Sequence, residues 1–211
     1  MNLMMAKPHV VLVGKTNVGK STLFNRLSNK RISIAHATPG ATRDCIIREA
    51  DFLGHSIMVA DSGGIESEED NKNPFQGLVS QRVMDFVANR ADVVLFMVSA
   101  KDGITVQDHE IARSLRRVGK PVVLVINKVD HENNHMVAFD CIRFGFENPL
   151  MISAAQYVGI RELTERVLKE LDLKPKAGQE LPIPLTLVMA DDSEEEPEME
   201  SEQPGKVNIC V

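Results

Sequence analysis

The chain has 211 residues, 43% hydrophobic and 26% charged, an ordinary globular composition that excludes disorder throughout. Its net charge of −6 belongs to the tail: residues 181–211 hold eight acids and one base, and removing these from 30 acids and 24 bases leaves 22 and 23 for residues 1–180. A near-neutral body demands no polyanionic partner, no apolar run approaches the ~18–20 residues of a membrane span, and the scattered Cys45, Cys141 and Cys210 have no metal-type spacing and fit a reducing, cytoplasmic compartment.

In chain order, residues 9–13 (HVVLV) read as a short buried strand and residues 20–29 as a helix. A polar loop with Gly and Pro, Ile34–Asp44, follows. Residues 45–52 and 55–60 are β-type runs joined at Leu53–Gly54, a hairpin signal. A second polar loop, Gly63–Asn73, leads to a helical pattern over 77–90 with Leu78, Val79, Val83, Met84 and Val87 on one face. The rhythm then becomes regular: strand Val93–Ser99, helix Val106–Val118, strand Val122–Asn127, helix Met136–Phe146, strand Pro149–Ser153, helix Ile160–Leu171. Strands apolar along their whole length are buried on both faces, which implies a mostly parallel sheet covered by helices, a three-layer α/β domain over residues 8–172. Residues 173–205 read as an acidic flexible linker, too charged and too poor in large apolar groups to offset ordering entropy. Residues 206–211 (KVNICV) turn apolar again, like 7–12 (KPHVVL), and read as the possible first strand of a truncated second domain.

Three motifs carry chemistry. Gly14-Lys15-Thr16-Asn17-Val18-Gly19-Lys20-Ser21, followed by Thr22, matches G-x-x-x-x-G-K-[ST] between a predicted strand and a predicted helix. Glycines let successive N–H groups face one concavity, and the helix N-terminus favours phosphate. Lys20 can reach the β- and γ-phosphates, and Ser21 can place its hydroxyl on Mg²⁺. Asn127-Lys128-Val129-Asp130 matches N-K-x-D after an apolar strand. The Asp130 carboxylate can accept two hydrogen bonds from guanine N1 and N2. Adenine offers no such pair, and a site built for hydrogen bonds rejects the analogue lacking them. Asn127 would support the purine edge and its loop, and Lys128 would lay its stem along the ring. D-x-x-G occurs twice: Asp51–Gly54 reads as the hairpin turn, whereas Asp61-Ser62-Gly63-Gly64 ends a strand, where ligands bind in α/β sheets. Asp61 can hold Mg²⁺ through water, and the Gly64 N–H can sense the γ-phosphate. Thr42, in Thr38–Asp44, is a candidate Mg²⁺ ligand, and backbone amides of Ser153-Ala154-Ala155 can meet guanine O6.

In order, GKTNVGKS, Thr42, DSGG, NKVD and SAA resemble the five G motifs of GTPases. PGATRD, the D-S-G-G form and NVGKS resemble the Era/TrmE-like bacterial GTPases and, among them, the first G domain of the Der (EngA) family of ribosome-assembly GTPases. The acidic linker and KVNICV fit the same family. The implied fold is the P-loop GTPase fold, with a mostly parallel six-stranded sheet and one antiparallel edge strand. The implied activity is hydrolysis of GTP to GDP and phosphate with Mg²⁺, held by Ser21, Thr42 and Asp61, with the large ribosomal subunit as partner. In the full-length family a second G domain and a KH-like domain follow; neither is present in this chain. Ile65 stands where Ras-type enzymes carry a water-positioning glutamine. Resembling families compensate with K⁺, held partly by an asparagine matching Asn17. The catalytic set implied is therefore Lys20, Asn17, Thr42 and Gly64. Lys15-Thr16 replaces the family's usual Arg-Pro, losing stiffness and keeping a base; Ser62 replaces threonine and keeps the hydroxyl.

Two other readings stand beside a K⁺-stimulated GTPase. One is a nucleotide-gated binding module with negligible hydrolysis of its own. The other is a tRNA-modification GTPase domain of the TrmE type. His109, His131 and His135 form no metal set, and Arg113, Arg116 and Arg117 make a basic helix patch suited to solvent or RNA.

Overall fold

The computed structural model describes residues 7–28, 46–63, 81–129, 137 and 140–178. The expected loops 34–44 and 64–73, the helix start at 77–80, the tail from residue 179 and the KVNICV segment lie outside the described residues.

Six strands form one sheet: β1 His9–Val13, β2 Ile46–Phe52, β3 His55–Asp61, β4 Val93–Ser99, β5 Val122–Asn127 and β6 Leu150–Met151. The described helices are α1 Lys20–Leu27, α2 Gln81–Arg90, α3 Val106–Val118 and α4 Ile160–Glu170. Strand order is β2-β3-β1-β4-β5-β6, and only the edge strand β2 runs antiparallel to its neighbour. The expected fold is the observed one.

The apolar strands feed two cores by simple alternation. Val10, Leu12, Leu95, Met97, Val123 and Val125 face one side, beneath Leu23 and Phe24 of α1 and Leu163 and Val167 of α4. Val11, Val13, Phe96, Val98, Leu124 and Ile126 face the other, beneath Val83 and Val87 of α2 and Ile111 and Leu115 of α3. All seven β4 residues are buried. Each large apolar side chain so enclosed contributes about 1.5–3 kcal/mol.

β2 carries Arg48, Glu49 and Asp51 and is only partly buried, as an edge strand should be. It joins β3 through Leu53 (φ 49°) and Gly54 (φ 90°), the doubly positive pair of a type I′ hairpin turn. Asp51 Oδ1 accepts from the Gly54 amide at 2.9 Å, so this D-x-x-G is the expected turn. Past α4 the chain returns to that turn. Leu173 packs on the core, the Lys176 amide donates to Leu53 O at 3.1 Å, and His55 Nε2 lies 2.8 Å from Lys174 O.

Two expected elements are shorter than their sequence signal. Within the helix expected at 136–146, the described Val137, Asp140 and Cys141 are helical, and the segment ends early in a 3₁₀ turn, Ile142–Phe144, closed by Gly145 in the left-handed conformation (φ 72°). Phe144 is drawn inward against Phe96, with ring centroids 5.5 Å apart. The strand expected at 149–153 is in register with β5 at Leu150 and Met151, and Ile152 still bonds through its amide to Ile126 O and through its carbonyl to the Val129 amide. Beyond it the chain turns back, with Ser153 and Val158 bridged to each other.

Candidate functional site

β1 lies where the strand order reverses, with β3 on one side and β4 on the other. Open α/β sheets bind ligands outside the strand C-termini at such a point. The G-x-x-x-x-G-K-S segment leaves β1 there and enters α1. Gly14 is obligatory for space: a Cβ would overlap the Met97 carbonyl oxygen. Gly19 is the α1 N-cap in left-handed conformation (φ 99°), and a Cβ would overlap the Asn127 side-chain amide. Val18 is fully buried beneath the loop, while Thr16 and Asn17 are exposed on its crest. Asn17 takes a positive φ of 63°, which asparagine tolerates better than most residues.

Lys20 is buried, and its ammonium donates to the Gly14 carbonyl and, at 2.9 Å, to the Lys15 carbonyl. Ser21 Oγ donates to Asp61 Oδ2 at 2.7 Å, and Asp61 Oδ1 accepts from the Gly63 amide at 2.9 Å. Lys20, Ser21 and Asp61 are therefore brought together from two elements at one end of the sheet. Ser62 is buried, and its hydroxyl bonds to no described residue. Thr22 is exposed in the first turn of α1. Thr42, Gly64, Ile65 and Asp130 lie outside the described residues.

At the other end of the site stands Asn127. Its Nδ2 donates to Val18 O at 2.8 Å, and its Oδ1 accepts from the Ala154 amide at 2.9 Å. Its side chain thus clamps the phosphate-type loop to the Ser153–Ala155 segment. Lys128 (φ 63°) projects its ammonium to 3.6 Å from Asp102 Oδ2. Of the three amides expected at the base, that of Ser153 donates to Val158 O and that of Ala154 to Asn127.

Sequence reasoning missed three residues here. Arg26 of α1 donates through Nε to Ala154 O (3.2 Å) and through Nη2 to Ala155 O (2.8 Å). Asp108 of α3, wholly buried, lies 3.1 Å from the Lys15 ammonium. Asp102 holds Lys128. The Thr105-x-x-Asp108 capping pattern is legible as a helix start, but nothing in sequence pairs it with Lys15. A hydrogen bond from Ser99, with the Lys128 and Lys15 charges beside it, holds the Asp102 carboxyl below the usual range. Burial, with Asp108 and Asp140 nearby, pushes the Cys141 thiol up to about 12, so it stays protonated and inert. Burial raises the Tyr157 phenol, against the opposing charge of Arg26.

Among the described residues no group of three His, Cys, Asp or Glu side chains is arranged to hold a metal. No described helix is long and apolar enough to cross a membrane. His109 packs edge-on against Phe144. Arg113, Arg116 and Arg117 are exposed on α3. His131 and His135 lie outside the described residues.

The profile of the 50S ribosome-binding GTPases matches residues 9–128. The chain belongs to that family. It is a P-loop GTPase domain, as its motifs predict. GTPase Der of Clostridium botulinum (strain Hall) is 40% identical over 178 residues, covering 83% of this chain and 39% of that protein. GTPase Der of Geobacillus kaustophilus is 40% identical over 174 residues, covering 82% and 38%. The chain thus spans about two-fifths of the length of these relatives. Among solved structures, Era in complex with MgGDPNP and nucleotides 1506–1542 of 16S ribosomal RNA superposes with a TM-score of 0.61 at 30% identity, covering 84% of this chain and 60% of that one. The probable GTP-binding protein engB shares the fold, with a TM-score of 0.57 at 22% identity over 78% of this chain and 98% of that one.

Proposed function

We propose that this domain binds GTP with Mg²⁺ and hydrolyses it to GDP and phosphate with K⁺ stimulation, as a switch acting in large ribosomal subunit assembly. The observation that carries the reading is the Ser21–Asp61 contact of 2.7 Å beside buried Lys20. It gathers a cation and two hard oxygen ligands where the loop amides converge.

In this reading the amides of Gly14 to Ser21 cradle the phosphates, and Lys20 moves from its loop carbonyls to the β- and γ-oxygens. Ser21, Thr42 and, through water, Asp61 hold Mg²⁺. An all-oxygen set with few protein ligands fits that ion, which neutralises phosphate charge when bound. Thr42 and the Gly64 amide read the γ-phosphate. Asp130 selects guanine, the Ala155 amide meets its O6, and Lys128 flanks the ring. Asn17 holds its amide on the exposed loop crest, suited to a K⁺ that offsets charge developing on the phosphates. The exposed Arg113, Arg116 and Arg117 supply the cations for a ribosomal RNA contact. The reading places the domain in the cytoplasm.

A second reading keeps the same binding site but gives the isolated domain negligible turnover, and Ile65 in place of glutamine favours it. Phosphate release from GTP and ATP, each in K⁺ and Na⁺, separates the two. The expected result is GTP-selective release that rises in K⁺. Asn17→Gly, which keeps the positive φ without the amide, should abolish the K⁺ response. Tight guanine-nucleotide binding without release in either salt would leave only the switch module.

A further inference from the structure

Two acids outside the nucleotide motifs hold two lysines inside them, and both acids belong to the β4–α3 connection and its first helical turn. Asp108 is the stronger case. Its side chain is 0% exposed and that of Lys15 is 11% exposed. Asp108 Oδ2 accepts from the Thr105 amide (2.9 Å), the Thr105 hydroxyl (2.6 Å) and Lys15 Nζ (3.1 Å). Asp108 Oδ1 is buried without a partner among the described residues. Capping a helix needs only an exposed acceptor. A fully buried carboxylate with one oxygen unengaged is costly, so its position calls for a role beyond the cap. That role is visible in the next contact: the carbonyl of Lys15 accepts from Lys20 Nζ at 2.9 Å. Asp108 fixes the Lys15 side chain, and the Lys15 main chain receives Lys20.

The other end of the same segment meets the base side. The Ala100 amide donates to Asn127 O at 2.8 Å. Asp102 Oδ2 lies 3.6 Å from Lys128 Nζ, both partly exposed, and the Asp102 amide donates to Ser99 Oγ at 3.3 Å. Residues 100–108 are thus bonded to the base motif at one end and to the phosphate loop at the other.

We propose that this segment is a strut setting the separation of the phosphate and guanine ends, with Asp108 a positioning residue for Lys15 and Lys20, and Asp102 for Lys128. The proposal rests on the nucleotide-site reading above. It places the burden on the β-phosphate, next to Lys20, and leaves the nucleoside and first phosphate to other contacts.

The test is the affinity of the full chain for GDP and for GMP, by displacement of a fluorescent GDP analogue, with thermal unfolding in parallel. Asp108→Asn keeps an acceptor for Thr105 and removes the charge. Its GDP affinity should fall roughly tenfold with GMP affinity nearly unchanged, the size of one lost charged hydrogen bond. Lys15→Met should repeat that loss, Lys15→Arg should rescue it, and the Lys15→Met/Asp108→Asn double variant should be no worse than either single one. Asp102→Asn should lower GDP and GMP affinity together by about threefold at most, as expected of an exposed pair. An unchanged GDP-to-GMP ratio in Lys15→Met, or a ratio unchanged in Asp108→Asn while its unfolding temperature falls, would make Asp108 a helix cap alone and overturn the strut. Should Asp108→Asn fail to fold, Lys15→Met and Lys15→Arg decide. Absence of any GDP binding by the wild-type chain would overturn the site reading itself.

Discussion

At the phosphate end, the main chain and buried charge do the holding. Gly14 and Gly19 stand where no Cβ fits, Val18 is sealed beneath the loop, and Lys20 bonds to two carbonyls of its own segment. At the base end the described residues are held differently. Ser153–Ala155 is positioned instead by two side chains from other elements, Asn127 of β5 and Arg26 of α1. The difference reflects what each end recognises. Phosphate is a compact anion best met by preorganised dipoles. A purine edge is flat and uncharged, and is told apart by the alignment of a few donors and acceptors. The first problem is solved mainly by consecutive residues, with Asp61 and Asp108 joining them from other elements; the second rests on side chains brought from elsewhere, Arg26 from 128 residues away.

Gly19→Val should break the contrast most sharply, because it strikes both ends. A side chain at φ 99° is strained and meets the Asn127 amide. Strain plus a lost buried hydrogen bond amounts to about 3 kcal/mol, or about a hundredfold loss of GDP affinity by calorimetry. Full affinity would mean that the two ends are not joined through Asn127. Asn127→Ala comes next, leaving Val18 O and the Ala154 amide without their partner. About 2 kcal/mol is expected, seen as an unfolding temperature lower by about 4–8 °C and a GDP affinity roughly tenfold weaker or more. Arg26→Gln should be the mildest and the most one-sided. Losing about 1 kcal/mol from the base loop should weaken GDP about fivefold, with displacement by inorganic pyrophosphate unaltered. Equal losses for GDP and pyrophosphate would show that Arg26 does not act on the base end alone.

The legibility of the molecule follows the same divide. The central strands were readable because VVLFMVS and VVLVIN have no polar face, and the phosphate loop because its function is written in adjacent residues. The hairpin was readable from Leu53–Gly54 between two β runs. The helix at 136–146 was readable in kind, with Val137, Asp140 and Cys141 helical, but apolar spacing cannot reveal that Phe144 turns toward Phe96 and that Gly145 closes its last turn. Pro149–Ser153 has a strand-like composition, yet the return of Val158 onto Ser153 takes Ser153 out of the ladder. Arg26 and Asp108 were opaque for a different reason. Each looks like a helix-surface charge until its partners, Ala155 and Lys15, arrive from distant parts of the chain.

The stitching of Lys174 and Lys176 to the β2–β3 turn has a mechanical consequence. That turn lies at the opposite end of β3 from Asp61, so a pull on the chain at Gly178 is first borne by the Lys176–Leu53 and Lys174–His55 contacts. These two contacts are weaker than the seven residue pairs of the β2–β3 ladder and part first, after which the load passes along the chain to Leu173, bonded to Leu168 O and packed on the core. β1, β4 and β5, which carry the loop and Asn127, stand off that line of force. Tension arriving from this side therefore loosens the C-terminal strap first and leaves both the sheet edge and the pocket in place.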